Sequence, residues 1–279
     1  MFRRILIVAL AVLLCGGIVF TEERGGRPFL SSFSSPPPVK AAHVPQVPIL
    51  MYHKVNPDGR SGGLGLRVPP DRFAEQMEYL HDNEYRTISL FDLVSFLKEG
   101  GELPPRPVVI TFDDGYLDNY LYAFPVLKKY GFTATIFVVA SYVGKTNLFD
   151  VKAGLQPENP LAGWEQLKEM AAYGITIGSH TLDHPRLTRL SPEKAFREIK
   201  ESREKIEKEL GRPVLFFSYP YGSYNEEIVR MVEKSGYLAA VTTAQGTATP
   251  GSNPYTLKRI RVLGTYDLRK FASELNKPR

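Results

Sequence analysis

Short apolar runs alternate with amphipathic stretches along nearly the whole chain, and this alternation restricts the possible architectures more than any other feature. The runs Ile49–Tyr52, Val108–Phe112, Thr135–Val139, Ile175–Gly178, Leu215–Tyr219 and Ala239–Thr242 predict strands. Helical spacing predicts helices over Asp71–Asn83, Leu90–Lys98, Leu117–Tyr130, Trp164–Tyr173, Pro192–Leu210, Glu226–Ser235 and Asp267–Asn276. Strand and helix taking turns for this long imply a parallel sheet, and so many units favour an α/β barrel that is closed or nearly so. In such a barrel chemistry belongs where strands end and loops begin, so polar residues at those junctions are the informative ones.

The start of the chain has a different character. Arg3 and Arg4 precede a run from Ile5 to Phe20 that carries no charge, which marks residues 1–20 as a secretory signal or an N-terminal membrane anchor, with a buried core helix as the alternative. The run is shorter than the roughly 20 residues that span a bilayer comfortably, and no clean A-x-A site follows it, so cleavage and retention both stay open. Cys15 is the sole cysteine and follows the bulky Leu14, which argues against a lipoprotein site, and the exported part has no disulfide. Residues 21–46, including Ser34-Ser35-Pro36-Pro37-Pro38, read as a stiff spacer, leaving 47–279 as the folded domain. These features predict a protein secreted or anchored at the extracellular face of the membrane. The net charge of +5 is dispersed, with no basic block of the kind that binds nucleic acid. It suits anionic cell-surface polymers and equally an ordinary soluble surface.

Two strand ends stand out. Asp113 and Asp114 close the run Pro107-Val108-Val109-Ile110-Thr111-Phe112 and are followed by Gly115. Adjacent carboxylates there repel unless a cation or donor lies between them, and Gly115 permits a bend bringing both to the barrel mouth. An Asp-Asp-Gly turn also occurs with no site attached. The run Ile177-Gly178-Ser179 leads into His180 and His184, four apart, with Pro185 arguing against a helix through them. Two neutral imidazoles and one carboxylate make an open three-ligand metal site, although a histidine pair can also be structural. A third junction, Tyr219-Pro220-Tyr221-Gly222, suits a sugar-stacking wall and a turn with inward N–H groups, or simply an ordinary barrel turn.

Together these segments resemble a known family. Thr111-Phe112-Asp113-Asp114-Gly115-Tyr116 and Ser179-His180-Thr181-Leu182-Asp183-His184-Pro185 are similar to the first two motifs of the NodB-type polysaccharide deacetylases, carbohydrate esterase family 4, and Tyr219-Pro220-Tyr221-Gly222 is similar to part of the third. The resemblance implies a distorted (β/α)7 barrel, the NodB homology domain, and metal-assisted deacetylation. It implies Asp113 as general base and Asp114, His180 and His184 as ligands of one divalent metal, usually zinc, with cobalt, nickel or manganese as alternatives. The Tyr221 backbone N–H, beside Pro220, would help hold the oxyanion.

The chain departs from the family pattern in three places. Ser218 stands where arginine commonly opens the third motif, the tryptophan-containing fourth motif is not visible near Ala239–Thr243, and no histidine follows Leu257. A histidine does occur in Ile49-Leu50-Met51-Tyr52-His53-Lys54-Val55. This opening looks like the biofilm branch, the IcaB and PgaB deacetylases of poly-β-1,6-N-acetylglucosamine, in which an N-terminal histidine replaces the missing acid. His53 is accordingly the expected general acid, with a packed core residue as the other reading. The expected partner is an extracellular polysaccharide. Peptidoglycan, chitin oligomers and acetyl-xylan are alternative substrates, and a non-catalytic sugar-binding protein is the alternative of another class. The long segment Ser141–Gly163 shows no clear period and reads as a mobile flap or a surface-contact loop.

Overall fold

The computed structural model describes residues 45–277, so the leader and nearly all of the spacer lie outside the described residues. Seven strands form the centre: β1 (Val47–Tyr52), β2 (Pro107–Phe112), β3 (Thr135–Val138), β4 (Thr176–Ser179), β5 (Phe216–Ser218), β6 (Ala239–Gln245) and β7 (Leu257–Arg261). Each pairs in parallel with the next in the chain. The ring closes through β1, where Leu50 lies opposite Ile110 of β2 and Ile260 of β7. This is the (β/α)7 barrel expected above.

Strand alternation divides the core in two. Ile49, Val109, Phe137, Phe216, Ala239, Val241 and Leu257 cluster with Leu90, Leu93 and Val94. Their neighbours Leu50, Ile110, Ile136, Ile177, Phe217, Ala240 and Ile260 join the larger cluster made with the other helices. Both faces of the strands are therefore apolar, as a parallel sheet requires.

The helices are α1 (Pro70–Asp82), α2 (Leu90–Glu99), α3 (Phe124–Tyr130), α4 (Trp164–Tyr173), α5 (Pro192–Leu210), α6 (Glu226–Lys234) and α7 (Leu268–Asn276). The helix predicted over Leu117–Tyr130 is shorter. Asn119–Ala123 forms a π-helical turn before α3, and Pro125, which has no N–H to donate, gives a physical reason for the widened turn. Helix α5 has its predicted bounds, with the Ser191 side chain accepting from the Lys194 N–H at one end and Gly211 left-handed at the other. Among its many charged residues, Glu198 is buried.

The segment after β3 is tied down rather than loose in its bonding. The Asn147 side chain accepts from the Asn159 N–H at 2.6 Å, and Asn159 Nδ2 donates to the Ser61 carbonyl at 2.9 Å. Buried Lys54 donates to that carbonyl at 2.6 Å and to Gln156 Oε1 at 3.1 Å. The arm thus forms a wall over the barrel mouth, and its single helical turn, Leu148–Val151, carries buried Asp150 to the site.

Candidate active site

A bend at the end of β2 places the two aspartates. The expectation put this bend at Gly115, and the structure starts it one residue earlier: Asp114 has φ 71° and Gly115 φ 75°. A Cβ at Gly115 would lie 2.9 Å from Val138 Cγ1, so glycine is needed for space as well as for its backbone. Thr181, His184 and Tyr221 are also left-handed, with φ 69°, 62° and 58°. Such conformations cost non-glycine residues roughly 1–3 kcal/mol each and persist where surrounding bonds enforce them. At the histidine loop those bonds come from Glu198, whose carboxylate accepts from the Leu182 N–H at 3.0 Å and the Asp183 N–H at 2.8 Å. The Thr181 hydroxyl accepts from the His184 N–H at 2.9 Å.

Asp114, His180 and His184 converge. Asp114 Oδ1 is 3.5 Å from His180 Nε2 and 3.4 Å from His184 Nε2, and the two nitrogens are 3.2 Å apart. All three residues are buried, and their donor atoms fall within 4.8 Å of one another. Burial lowers the pKa of both imidazoles and keeps them neutral, the state that binds metal. His180 Nδ1 lies 2.7 Å from the Ser218 carbonyl. A carbonyl only accepts, so Nδ1 carries the hydrogen and the Nε2 lone pair points into the site. Asp114 is pushed well above the usual carboxylate range by burial and by the Asp150 and Asp113 carboxylates. A divalent cation among these atoms would reverse that penalty. The residues present therefore fit such an ion, in an N,N,O set with room for further ligands.

Asp113 has a different environment. Arg259 Nη1 donates to Asp113 Oδ1 at 2.8 Å and Nη2 to Oδ2 at 2.6 Å, with both side chains buried. Burial would raise the Asp113 carboxyl, but the charge and hydrogen bonds of Arg259 outweigh it and hold the group well below the usual range. Arg259 also reaches Ser218 Oγ at 3.3 Å and the Thr111 hydroxyl at 3.1 Å. The arginine absent from the third motif is thus matched by one from β7, a strand the sequence reading did not identify.

His53, Asp113, Asp114, His180, His184 and Tyr221 line one cleft of about 250 Å³, together with Asp150, Arg186 and Arg261. Burial lowers His53 to about 3, with Arg261 and Arg259 adding to the effect and Asp113 opposing it. The unperturbed value near ~6.5 that makes imidazole a ready acid at neutrality does not hold here. The Tyr221 ring sits 4.6 Å from that of His184, with the Arg186 guanidinium 4.1 Å over it. Tyr219 is no part of a sugar-stacking wall: it is buried and donates to the Tyr255 carbonyl. Pro220 is buried behind Tyr221 in the same turn. His81, the remaining histidine among the described residues, is exposed. A larger cavity of about 520 Å³ near the starts of β1 and β2 has no carboxylate or imidazole in its lining, so size does not mark the chemistry.

Arg259, Asp150 and Glu198 were missed by the sequence reading. Arg259 was detectable only through the strand count, since six predicted strands leave a seven-stranded barrel open.

Comparison with known proteins shows the family. The polysaccharide deacetylase family profile matches residues 100–240. YxkH of Bacillus subtilis is 40% identical over 80% of this chain and 74% of its own length, and its name carries the family and no particular polymer. The poly-β-1,6-N-acetyl-D-glucosamine N-deacetylase of Staphylococcus epidermidis is 30% identical over 70% of this chain and 68% of its own. The solved structure of Streptococcus pyogenes deacetylase PplD in complex with acetate superposes with TM-score 0.73 at 28% identity, covering 84% of this chain and 99% of that one. This chain belongs to the polysaccharide deacetylase family and is a polysaccharide N-deacetylase.

Proposed function

We propose that this enzyme hydrolyses N-acetyl groups of an extracellular amino-sugar polymer, preferentially poly-β-1,6-N-acetylglucosamine, at a divalent metal, most simply zinc, held by Asp114, His180 and His184. The observation that carries this reading is the convergence of those three donor atoms beside an Asp113 that Arg259 keeps ionised. The polymer is suggested by the Staphylococcus epidermidis relative and by His53 in the cleft. Residues 1–20 serve as signal or anchor, 21–46 as spacer and 47–279 as the catalytic domain in this proposal. Among the described residues no helix is long and apolar enough to cross a membrane.

A bound divalent cation would polarise the acetamide carbonyl and acidify the attacking water. Asp113 accepts the proton that the water loses, and Arg259 aims its two oxygens. The Tyr221 backbone N–H donates to the carbonyl oxygen as that atom gains charge. The C–N bond then breaks to give acetate and a free amine, whose nitrogen needs a proton. His53 supplies it. Because burial keeps the resting imidazole neutral, His53 gains that proton within the cycle, from the water by way of Asp113.

The test is acetate release from poly-β-1,6-N-acetylglucosamine beside peptidoglycan and chitin oligomers, before and after chelation and zinc return. Chelation should abolish turnover and zinc restore it, with the fastest rate on the first polymer. Full activity of thoroughly demetallated protein would refute the metal, and a faster rate on another polymer would refute the substrate. His53→Ala should lower kcat on the order of 100-fold at unchanged metal content and thermal midpoint, the loss expected for a proton donor. A near-normal kcat would show that His53 only packs.

A further inference from the structure

A metal-binding imidazole has a second ring nitrogen, and the partner of that nitrogen decides which tautomer the ring adopts. For His180 the partner is the Ser218 carbonyl, which holds the hydrogen on Nδ1. His184 lacks an equivalent: its Nδ1 is buried and makes no hydrogen bond. Facing it at 3.8 Å is Oδ1 of Asp150, itself 4% exposed. That distance is too long for a hydrogen bond and short enough for a small shift to close.

The Nε2 atoms of the two histidines are 3.2 Å apart and converge with an Asp114 oxygen on one point. For His184 to offer an Nε2 lone pair there as a neutral ring, its hydrogen must sit on Nδ1, the nitrogen that faces Asp150.

The surroundings are built to hold this carboxylate in place. Asp150 Oδ1 accepts the Tyr221 hydroxyl at 3.0 Å. The rings of Phe149 and Tyr221 lie 4.5 and 4.6 Å from that of His184, limiting its swing. The turn carrying Asp150 is fixed by the bonds of Asn147 and Asn159 to each other and to Ser61.

We propose that Asp150 is the positioning residue for His184: its carboxylate closes on Nδ1, accepts the hydrogen there, and so leaves the Nε2 lone pair for the ion. This role rests on the metal site of the proposed function. It assigns the arm after β3 the task of setting metal affinity.

The test is zinc binding by the chelator-stripped full-length protein, measured against a chromophoric competitor with no substrate present. Asp150→Ala should raise the zinc Kd on the order of 10- to 100-fold, the usual effect of losing such a partner. Asp150→Asn keeps an oxygen that can accept from Nδ1 but loses the charge, so it should fall between Ala and wild type. It also serves as the variant least prone to folding defects. Nitrogen-15 NMR of the zinc-loaded protein should place the His184 hydrogen on Nδ1 in a hydrogen bond that Asp150→Ala removes, a signature that a purely structural role would not produce. Wild-type Kd in both variants, or an Nδ1 signal that Asp150→Ala leaves unchanged, would overturn the inference. A wild-type protein that binds no zinc would overturn the metal site itself, and this role with it.

Discussion

Asp113→Asn is expected to reduce kcat on the order of 1,000-fold while zinc stays bound, because an amide cannot accept the proton that the attacking water must lose. Asp114→Asn should fail differently, by weakening zinc binding, since its oxygen lies among the ligand atoms. Acetate release and metal content measured on both variants separate base from ligand, and equal metal binding by the two would show that the roles are misassigned. In Asp113→Asn the new amide also turns a donor toward Arg259, whose two nitrogens in the wild type meet two acceptors at 2.8 and 2.6 Å. A thermal melt of the variant shows whether the lost turnover accompanies a folded protein.

Arg259→Met, close in volume but uncharged, should cost about 3–5 kcal/mol of stability by leaving the Asp113 carboxylate buried without its partner. For a domain of this size, that corresponds to a fall in Tm on the order of 10 °C. Turnover should fall with it, since Asp113 loses both its charge and its orientation. The pH dependence should reverse. In the wild type Asp113 has a depressed pKa, so its contribution is complete above ~4 and is lost only as pH falls below that. In the variant burial, the largest effect, is opposed only by His180 and His53 and raises the carboxyl, so stability associated with this group is greatest near ~4 on the pH scale and fades as pH rises. Denaturant melts between pH 4 and 8 measure this. A stability deficit independent of pH would mean that Arg259 acts by packing rather than by charge. Arg259→Lys should fall short of wild type, because an ammonium cannot engage both carboxylate oxygens as a planar fork does.

The sequence made most of this molecule legible for a simple physical reason. Strands buried on both faces must be apolar throughout, and amphipathic helices must carry a stripe, so six barrel strands and all seven helices left clear patterns. Strand β7 did not, because Lys258, Arg259 and Arg261 break its apolar run, and the charge that hid it is the one that pairs with Asp113. Asp113, Asp114, His180 and His184 were visible because each sits where a strand pattern ends. Asp150 and Glu198 were not, for opposite reasons: one lies in an arm with no period, and the other is one of many charged residues along helix α5. Sequence periodicity reports which way a face points, and neither residue acts through its face. Glu198 bonds to the histidine loop 15 and 16 residues before it, and Asp150 accepts from Tyr221, 71 residues after it.

The pairing of Asp113 with Arg259 across the closing strand also bears on when activity can arise during synthesis. A nascent chain that has reached residue 256 already carries His53, both aspartates and both metal-facing histidines, yet no guanidinium to keep Asp113 charged and no strand to join the ends of the ring. Contacts separated by 146 residues form late in folding, since long loops must close before they form. A chain cut before Leu257 is therefore expected to release no acetate although every motif residue is present, and one that extends past β7 has both the guanidinium and the closing strand.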